Sequence, residues 1–382
     1  MRTRATRRAE YTGASAPCLY VAFELGVEEW KLGFTTEPGA RPRLRTMPAG
    51  DRDRLTREIG DAKQWFGLKA TSPVRSCYEA GRDGFWLHRY LTAIGIENAV
   101  VDSSSIEVNR RLRRAKSDRL DARKLVSLLW RYHAGERDVW SVVRVPTVED
   151  EDRRQLHREL RTVKKERTRV TNRMKGLLAA QGIRVPKERD VRAVLATVRL
   201  WDGAPVPTAL RARLERECEH AEFLRLKIRD LERERQRAIA QGQGAAIGKV
   251  RQLLRLRAIG PTGAWVYVHE FFGWRQFRNR KEVGAAAGLT PTPYQSGTAR
   301  REQGISKAGS RHLRAVAIDM AWAWVRHQPR SRLSRWYQAR FARGGPRARK
   351  VGIVALARKL LIDLWRFLEF GVVPDGARLQ PA

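Results

Sequence analysis

Two aspartates, Asp118 and Asp121, stand three residues apart in the segment AKSDRLDARKL, which is otherwise crowded with arginine and lysine. On a helix that begins near Asp118, both lie on the same face as Leu125, Leu128 and Tyr132. Carboxylates that turn toward a protein interior repel each other and are costly to bury unless a cation neutralises them. The pattern therefore favours a cation beside them, either a neighbouring arginine or lysine or a divalent ion such as Mg²⁺.

Two glutamates end predicted strands earlier in the chain. Glu24 lies near the end of LYVAFEL (19–25), and Glu79 closes the strand in VRSCYEA (74–80) just before a predicted helix. Sites in α/β sheets gather at such strand ends. Four oxygen-bearing side chains from separate elements suit one or two Mg²⁺ ions, or Mn²⁺, beside a phosphate. A simpler interpretation is that acids at a helix start complement the helix dipole, which accounts for Asp118 but poorly for the glutamates.

The elements that carry these acids alternate between strand and helix patterns, which predicts a sheet covered by helices over residues 18–145. LYVAFEL and WKLGF (30–34) form a predicted hairpin. Residue types alternate within LYVAFEL so that Tyr20, Ala22 and Glu24 share one face of the strand.

Residues 150–240 contain two long stripes of apolar residues at helical spacing, which predicts a coiled coil formed within the chain or with another copy. After a flexible boundary, residues 249–371 are predicted to be mostly helical, with GPTG as the turn of a helix-hairpin-helix or as a plain turn. A basic N-terminal extension (1–17) and a tail (372–382) complete the predicted organisation. The predicted fold class is thus α/β followed by α.

Composition narrows the range of partners. The chain has 77 lysines and arginines against 41 acidic residues, a net charge of +36 over 382 residues, which favours nucleic acid as the partner. Three scattered cysteines, Cys18, Cys77 and Cys218, predict no zinc site or disulfide framework and fit a reducing, cytoplasmic setting. The apolar runs are too short for a membrane span, so no membrane association is expected.

The motifs YVAFELG, CYEAGRDGFWLHRYLTAIGI and AKSDRLDARKL resemble, in order and spacing, the RuvC-like DEDD domain of the insertion-sequence-110 family of transposases. The segment from RAIGPTG to AIDMAW resembles that family's C-terminal transposase domain, so the resemblance covers nearly the whole chain. It implies an RNase H-like N-terminal fold and a catalytic, metal-binding tetrad of Glu24, Glu79, Asp118 and Asp121. The first position is usually aspartate in the family, so Glu24 is a departure, and an active enzyme is still expected because a carboxylate is retained.

The resemblance also places the family's serine nucleophile on Ser296, in a stretch that is interpreted as a loop. Ser310 is predicted to cap the following helix. Basic residues near the serine are expected to bind phosphate oxygens: Arg300, Arg301, Lys307, Arg311 and Arg314. A second basic segment leads into the aspartates and either contacts nucleic acid or forms a solvated loop: Arg110, Arg111, Arg113, Arg114 and Lys116.

The function implied by the resemblance is a DNA transposase or recombinase, guided by a structured bridge RNA that pairs with target and donor DNA. The resemblance also implies a homodimer that assembles into a dimer of dimers. The complex is expected to act in the bacterial cytoplasm, at the nucleoid. Two alternatives stay open from the residues. One is a RuvC-like, metal-dependent nuclease or junction resolvase that uses water, and the other is a non-enzymatic nucleic-acid-binding scaffold.

Overall fold

A computed structural model describes residues 17–37, 39–106, 118–186, 191–296 and 299–380, with the backbone alone described at 104, 118–120, 294–296 and 299–303. The chain divides into two compact units, Met1–Val145 and Pro146–Ala382. Residues 1–16 of the predicted extension and the predicted basic segment 110–116 lie outside the described residues. None of the helices in the described ranges has the length and apolar content that crossing a membrane requires.

The first unit contains the strands β1 (Leu19–Leu25), β2 (Glu29–Thr35), β3 (Arg43–Pro48), β4 (Val74–Glu79) and β5 (Glu97–Val101). They form one mixed sheet in the order β3-β2-β1-β4-β5. β1 is antiparallel to β2 and parallel to β4, β3 is antiparallel to β2, and β5 is parallel to β4. This order is compatible with an RNase H-like fold. The edge strand β3 was not predicted, because two arginines and a proline in RLRTMP obscure any apolar alternation.

Helices cover both faces of this sheet: α1 (Arg52–Trp65), α2 (Trp86–Ala93) and α3 (Asp118–His133). Leu19, Val21 and Phe23 of β1 share a core with residues of α1 and α2. Tyr20 and Ala22 share the core of the opposite face with residues of α3. The alternation predicted for β1 is therefore confirmed, and α3 covers the face to which Glu24 belongs by its position in the strand.

Close packing of α3 on the sheet depends on a glycine. A Cβ at Gly33 of β2 would lie 2.9 Å from the carbonyl oxygen of Ala122, in the first turns of α3. A larger residue there would push the helix off the sheet. Cys77 belongs to β4, on the other side of β1, and its thiol lies 3.9 Å from the carbonyl oxygen of Leu125 in α3. The helix α3 therefore crosses β2, β1 and β4.

The second unit is mostly helical and contains one hairpin. Its elements are α4 (Val148–Asp152), α5 (Gln155–Ala179), α6 (Val191–Thr197), α7 (Thr208–Gln241), α8 (Ala245–Leu254), α9 (Pro261–Tyr267), a π-helical turn (Val268–Phe272), α10 (Arg280–Ala286), β6 (Pro291–Ser296), β7 (Ala299–Ile305), α11 (Arg311–His327), α12 (Arg332–Tyr337), a second π-helical turn (Gln338–Ala342) and α13 (Pro346–Phe370).

The two predicted helical stripes pair with each other within the chain. Leu160, Val170 and Met174 of α5 share a core with Leu214 and Leu224 of α7. Ion pairs flank this seam, and one of them joins the guanidinium of Arg173 to both oxygens of Glu217 at 2.7 and 2.6 Å. Pairing with another copy of the chain stays a prediction.

The segment GPTG does not form a turn between helices. Gly260 is the N-cap of α9 and Pro261 is its first residue, so Gly263 lies inside the helix. The connection from α8 is residues 255–260, in which Ala258 has a φ of 87°. Proline suits the first helical position because its missing N–H would have no partner there, and this explains why GPTG begins a helix.

Candidate active site

Two of the predicted acids lie side by side at the ends of neighbouring parallel strands. The last registered pair of β1 and β4 joins Phe23 to Tyr78, and Glu24 and Glu79 follow directly. Both side chains are partly buried. Glu79 alternates with Cys77, whose side chain belongs to the core under α3, so both glutamates lie on the face of the sheet that α3 covers.

The first turn of α3 lies toward the same strand ends. Ala122 lies beside Gly33, which pairs with Ala22 near the middle of β1. His133, at the last residue of α3, has its ring centroid 5.9 Å from that of Tyr20, near the beginning of β1. The helix therefore runs opposite to β1, with Asp121 partly buried in its first turn. Asp118 is the first residue of α3, and its side chain lies outside the described residues.

Charged and titratable neighbours surround these strand ends. Lys31 of β2 stands opposite Glu24 in the antiparallel register, so a cation lies at the next strand position. Burial, and after it the charge of Glu79, raises the pKa of the Cys77 thiol, which keeps this side chain neutral. Among the side chains that the structure describes, no three His, Cys, Asp or Glu residues form a group that could hold a metal ion, and Asp118 is not among those side chains.

Hard carboxylate oxygens are the donor set that Mg²⁺ prefers, and histidine and cysteine ligands are absent from the predicted set. Glu24 and Glu79 approach from the sheet, and α3 brings the two aspartates from above it. The chemistry of the predicted ligands therefore fits Mg²⁺ or Mn²⁺.

Ser296 is the last residue of β6, where the sequence pattern indicated a loop. It pairs with Ala299 across the hairpin, and Arg300 and Arg301 follow on β7 opposite Gln295 and Tyr294. The side chains of Ser296, Arg300 and Arg301 lie outside the described residues. Alternation along β6 was obscured by two prolines in PTPYQS, which is why the hairpin was not predicted.

The segment after the hairpin bends sharply into α11. Lys307 adopts the left-handed region with a φ of 58°, and the Ser310 hydroxyl accepts a hydrogen bond from the Leu313 N–H at 3.2 Å, as predicted for a helix cap. Arg314 donates to the carbonyl oxygens of Ala308 and Gly309 at 2.5 and 3.1 Å. Its guanidinium thus holds the bend, and Arg311, at the first position of α11, is exposed.

A buried polar cluster that the sequence analysis did not identify lies in the second unit. We call it the Glu270 cluster and define it by Glu270, His157, Arg158, His269 and His312. The Glu270 carboxylate accepts hydrogen bonds from His157 Nε2 at 2.8 Å and from the Arg158 guanidinium at 2.8 and 3.1 Å. The His312 ring stacks against that of His157, with centroids 6.1 Å apart. The cluster thus joins the starts of α5 and α11 to the first π-helical turn.

Hydrogen-bond donors in the Glu270 cluster stabilise the charged form of the Glu270 carboxylate. Burial acts to raise the pKa of Glu270, but the hydrogen bonds from His157 and Arg158 outweigh it and hold the pKa well below its usual range. Burial, followed by the charges of nearby cations, lowers the pKa of His269 from 6.5 to about 4. His269 is therefore neutral and Glu270 is charged at neutral pH.

A signal for this cluster was present in VHEFFG, where a histidine and a glutamate interrupt an apolar run. The partners of Glu270 could not be read locally, since His157 lies 113 residues earlier. π-Helical turns often mark functional positions, because the inserted residue re-aims neighbouring side chains. Here the turn directs Glu270 toward α5.

Comparison with known proteins identifies the relatives of the chain. Residues 250–335 match the profile of the Transposase IS116/IS110/IS902 family. The chain is 41% identical, over 95% of its length and 94% of the relative's, to "Putative transposase y4rJ" of Sinorhizobium fredii. It is 26% identical, over 74% of both chains, to "Transposase for insertion sequence element IS1111A" of Coxiella burnetii.

These matches show that the chain is a transposase, a DNA strand-transfer enzyme. Within that class, it belongs to the IS116/IS110/IS902 family, as the sequence motifs predicted. The protein therefore acts on DNA, which agrees with its net charge of +36.

Proposed function

We propose that this transposase cuts and rejoins DNA strands with a serine nucleophile and Mg²⁺, guided by a structured RNA that pairs with target and donor DNA. The observation that carries the proposal is the placement of Glu24 and Glu79 at adjacent strand ends, on the face where α3 begins with Asp118 and Asp121. Carboxylates supplied by two strand ends and by the start of a helix are the ligand types that suit a metal-assisted reaction at a phosphate. The fold that presents them is RNase H-like in this proposal.

Glu24, Glu79, Asp118 and Asp121 would hold the metal. A bound Mg²⁺ would neutralise charge that develops on the phosphate and would lower the pKa of an attacking hydroxyl. Lys31, opposite Glu24, adds a positive charge that offsets repulsion between the carboxylates when no ion is bound. Glu24 is one methylene longer than aspartate, and it lies in the partly buried last two residues of β1.

In the proposed reaction, the Ser296 hydroxyl loses its proton and its oxygen attacks a DNA phosphorus. The bond from phosphorus to the 3′ oxygen breaks, the 3′ oxygen takes up a proton, and a phosphoserine ester is left. Attack by a 3′ hydroxyl of another strand reverses these steps and releases the serine. The place of Ser296 at the end of β6, paired with Ala299 and followed on β7 by Arg300 and Arg301, supports this role.

A recombination assay with matched variants tests the chemistry. Ser296→Ala and Asp121→Asn proteins should both lose strand transfer, and a denaturing gel of a labelled DNA reaction should show a protein–DNA adduct for the parent only. Ser306→Ala, a nearby serine without an assigned role, is the control and should keep activity. Cutting by Ser296→Ala would contradict the serine mechanism and would favour hydrolysis by water.

The RNA part is tested separately, by sequencing the nucleic acid that co-purifies with the protein. A single discrete RNA supports guidance by RNA, and a random mixture contradicts it. Size measurement of the complex with and without that RNA tests the proposed dimer and dimer of dimers.

A further inference from the structure

We propose that the first unit carries a binding site for single-stranded nucleic acid, in a basic and aromatic groove around the β3 edge of its sheet. We call it the edge groove. This site goes beyond the proposed function, because binding there requires neither Ser296 nor the predicted acids. It has two depressions that share Arg41 and Pro42.

The first depression lies between the β2–β3 connection and the outer side of α3. Its volume is about 500 Å³, and its lining residues include Arg41, Arg123, Ser127, Trp130 and Arg131. Arg123, Ser127, Trp130 and Arg131 repeat at helical spacing, so they form one stripe along α3. Glu37 also lines this depression, and Arg131 is paired with the Glu136 carboxylate at 2.9 and 2.6 Å.

The second depression lies on the α1 side of the edge, with a volume of about 380 Å³. Arg41, Pro42, Arg43, Arg45 and Trp65 line it. Trp65 is 61% exposed, although indole is among the most costly side chains to leave in water. The guanidinium of Arg43 lies 5.6 Å from the Trp65 ring centroid. An exposed indole beside guanidinium groups is the arrangement on which unpaired bases stack.

Some of these arginines have structural roles. Arg43 donates to the Asp61 carbonyl oxygen at 3.1 Å, and Arg45 lies 3.6 Å from the Glu58 carboxylate. Charges on an edge strand also prevent pairing with other chains. Arg41 and Arg123 are different, because both are exposed and, within the described part of the chain, neither has an acidic partner. Structure alone does not account for these two positive charges.

The choice of a single strand over a duplex follows from the aromatic residues. Arginines along a groove bind the phosphates of either form, but only unpaired bases expose the faces that stack on indole. The stripe on α3 starts two residues after Asp121 and continues away from the proposed metal site. One end of a strand bound in the edge groove would therefore lie near the proposed metal site.

Binding by the full chain in EDTA tests the edge groove without any chemistry. Fluorescence anisotropy would follow labelled 20-nucleotide oligo-dT, oligo-U and a 20-base-pair duplex over a series of salt concentrations. The Arg41→Ala/Arg123→Ala protein should bind single strands about tenfold more weakly than the parent. Its salt slope should fall by about 1.4, since each lost phosphate contact on a single strand removes about 0.7. Whichever single strand loses more affinity identifies the natural polymer as DNA or RNA.

The control is Arg57→Ala/Arg144→Ala, which removes two exposed charges of the same unit outside the edge groove. Equal losses in both double variants would overturn the proposal, since the effect would then be net charge alone. An equal loss for the duplex and the single strands would also overturn it. Trp65→Ala should weaken single-strand binding about tenfold, and Trp65→Phe should restore most of it. Photocrosslinking of an iodouracil-labelled strand should label the peptide that contains Trp65, and labelling confined to other peptides would contradict the site.

Discussion

Glu79 in the first unit and Glu270 in the second are carboxylates in helix-covered parts of the fold, but they differ in exposure and surroundings. Glu79 ends a strand, is partly buried, and lies beside Glu24. Glu270 has a side chain that is 9% exposed and accepts three hydrogen bonds from His157 and Arg158. Glu79 thus has another acid as its neighbour, whereas Glu270 has hydrogen-bond donors as its neighbours.

This difference separates two uses of the same functional group. An acid whose oxygens are occupied by a guanidinium and an imidazole stabilises the fold and has little capacity left for a ligand. Neighbouring acids at strand ends repel each other, so a cation between them stabilises their charged forms. The strand-end acids are therefore the candidates for chemistry, and the Glu270 cluster is a structural joint of the second unit.

The largest expected effect is on activity in the first unit. Glu79→Gln should reduce strand transfer on the order of a thousandfold, because a bound metal contributes several kcal/mol to such a reaction. The free energy of unfolding should change by less than about 1 kcal/mol. Recombination rates and denaturant titrations measure the two quantities. The control is Glu97→Gln, which changes a carboxylate of β5 that is paired with Arg75 and should leave the rate unchanged. Full activity of the Glu79→Gln protein would show that Glu79 is not part of the active site.

In the second unit, the corresponding change should affect stability. Glu270→Gln should destabilise the second unit by about 1–3 kcal/mol, because the neutral amide is a weaker acceptor for His157 and Arg158 and leaves one of their donors without a partner. Hydrogen exchange of the peptides in α5 and α9 measures this loss. Glu222→Gln removes an exposed carboxylate that is also bidentate with an arginine, and it should have a much smaller effect because solvent screens this ion pair. Equal losses would show that the Glu270 cluster is not the joint described above.

Acid should loosen the second unit through His269. Its pKa is lowered from 6.5 to about 4, so the unfolded chain binds more protons than the folded chain between these values. The contribution to stability is complete above pH 6.5 and is lost as the pH falls toward 4, by about 3 kcal/mol. Hydrogen exchange at several pH values measures it. His269→Phe should flatten the curve between pH 6.5 and 4, and an unchanged curve would assign the acid sensitivity to other groups.

The smallest expected effect concerns the bend between the hairpin and α11. Ser310→Ala removes the hydrogen bond to the Leu313 N–H and should cost about 1 kcal/mol, as is usual for a lost helix cap. Ser306→Ala, four residues earlier, should stay within about 0.5 kcal/mol. Thermal unfolding distinguishes the two variants, and equal melting temperatures would show that the cap contributes nothing measurable.

Local periodicity predicted much of what positions the acids. The alternation of β1 and the stripe of Leu125 and Leu128 in α3 are both present in the structure, with both leucines buried. The Ser310 cap followed from residue type alone. Local signals failed where proline or arginine interrupts a strand, as in β3 and β6, and where GPTG was taken as a turn. In each of these places, pairing with a distant segment decided the structure.

The sequence by itself determined the family, the charge that favours nucleic acid, and the residue types at the strand ends, because these depend on composition and short spacing. The tertiary structure alone decided that Glu24 and Glu79 are neighbours, since β1 pairs with β4 although residues 26–73, which carry β2, β3 and α1, separate the two strands in the chain. The tertiary structure also decided which groups bind the Glu270 carboxylate, since its partners His157 and Arg158 lie on α5. Whether a carboxylate is available for chemistry or is used by the fold depends on contacts between distant segments, which local spacing does not encode.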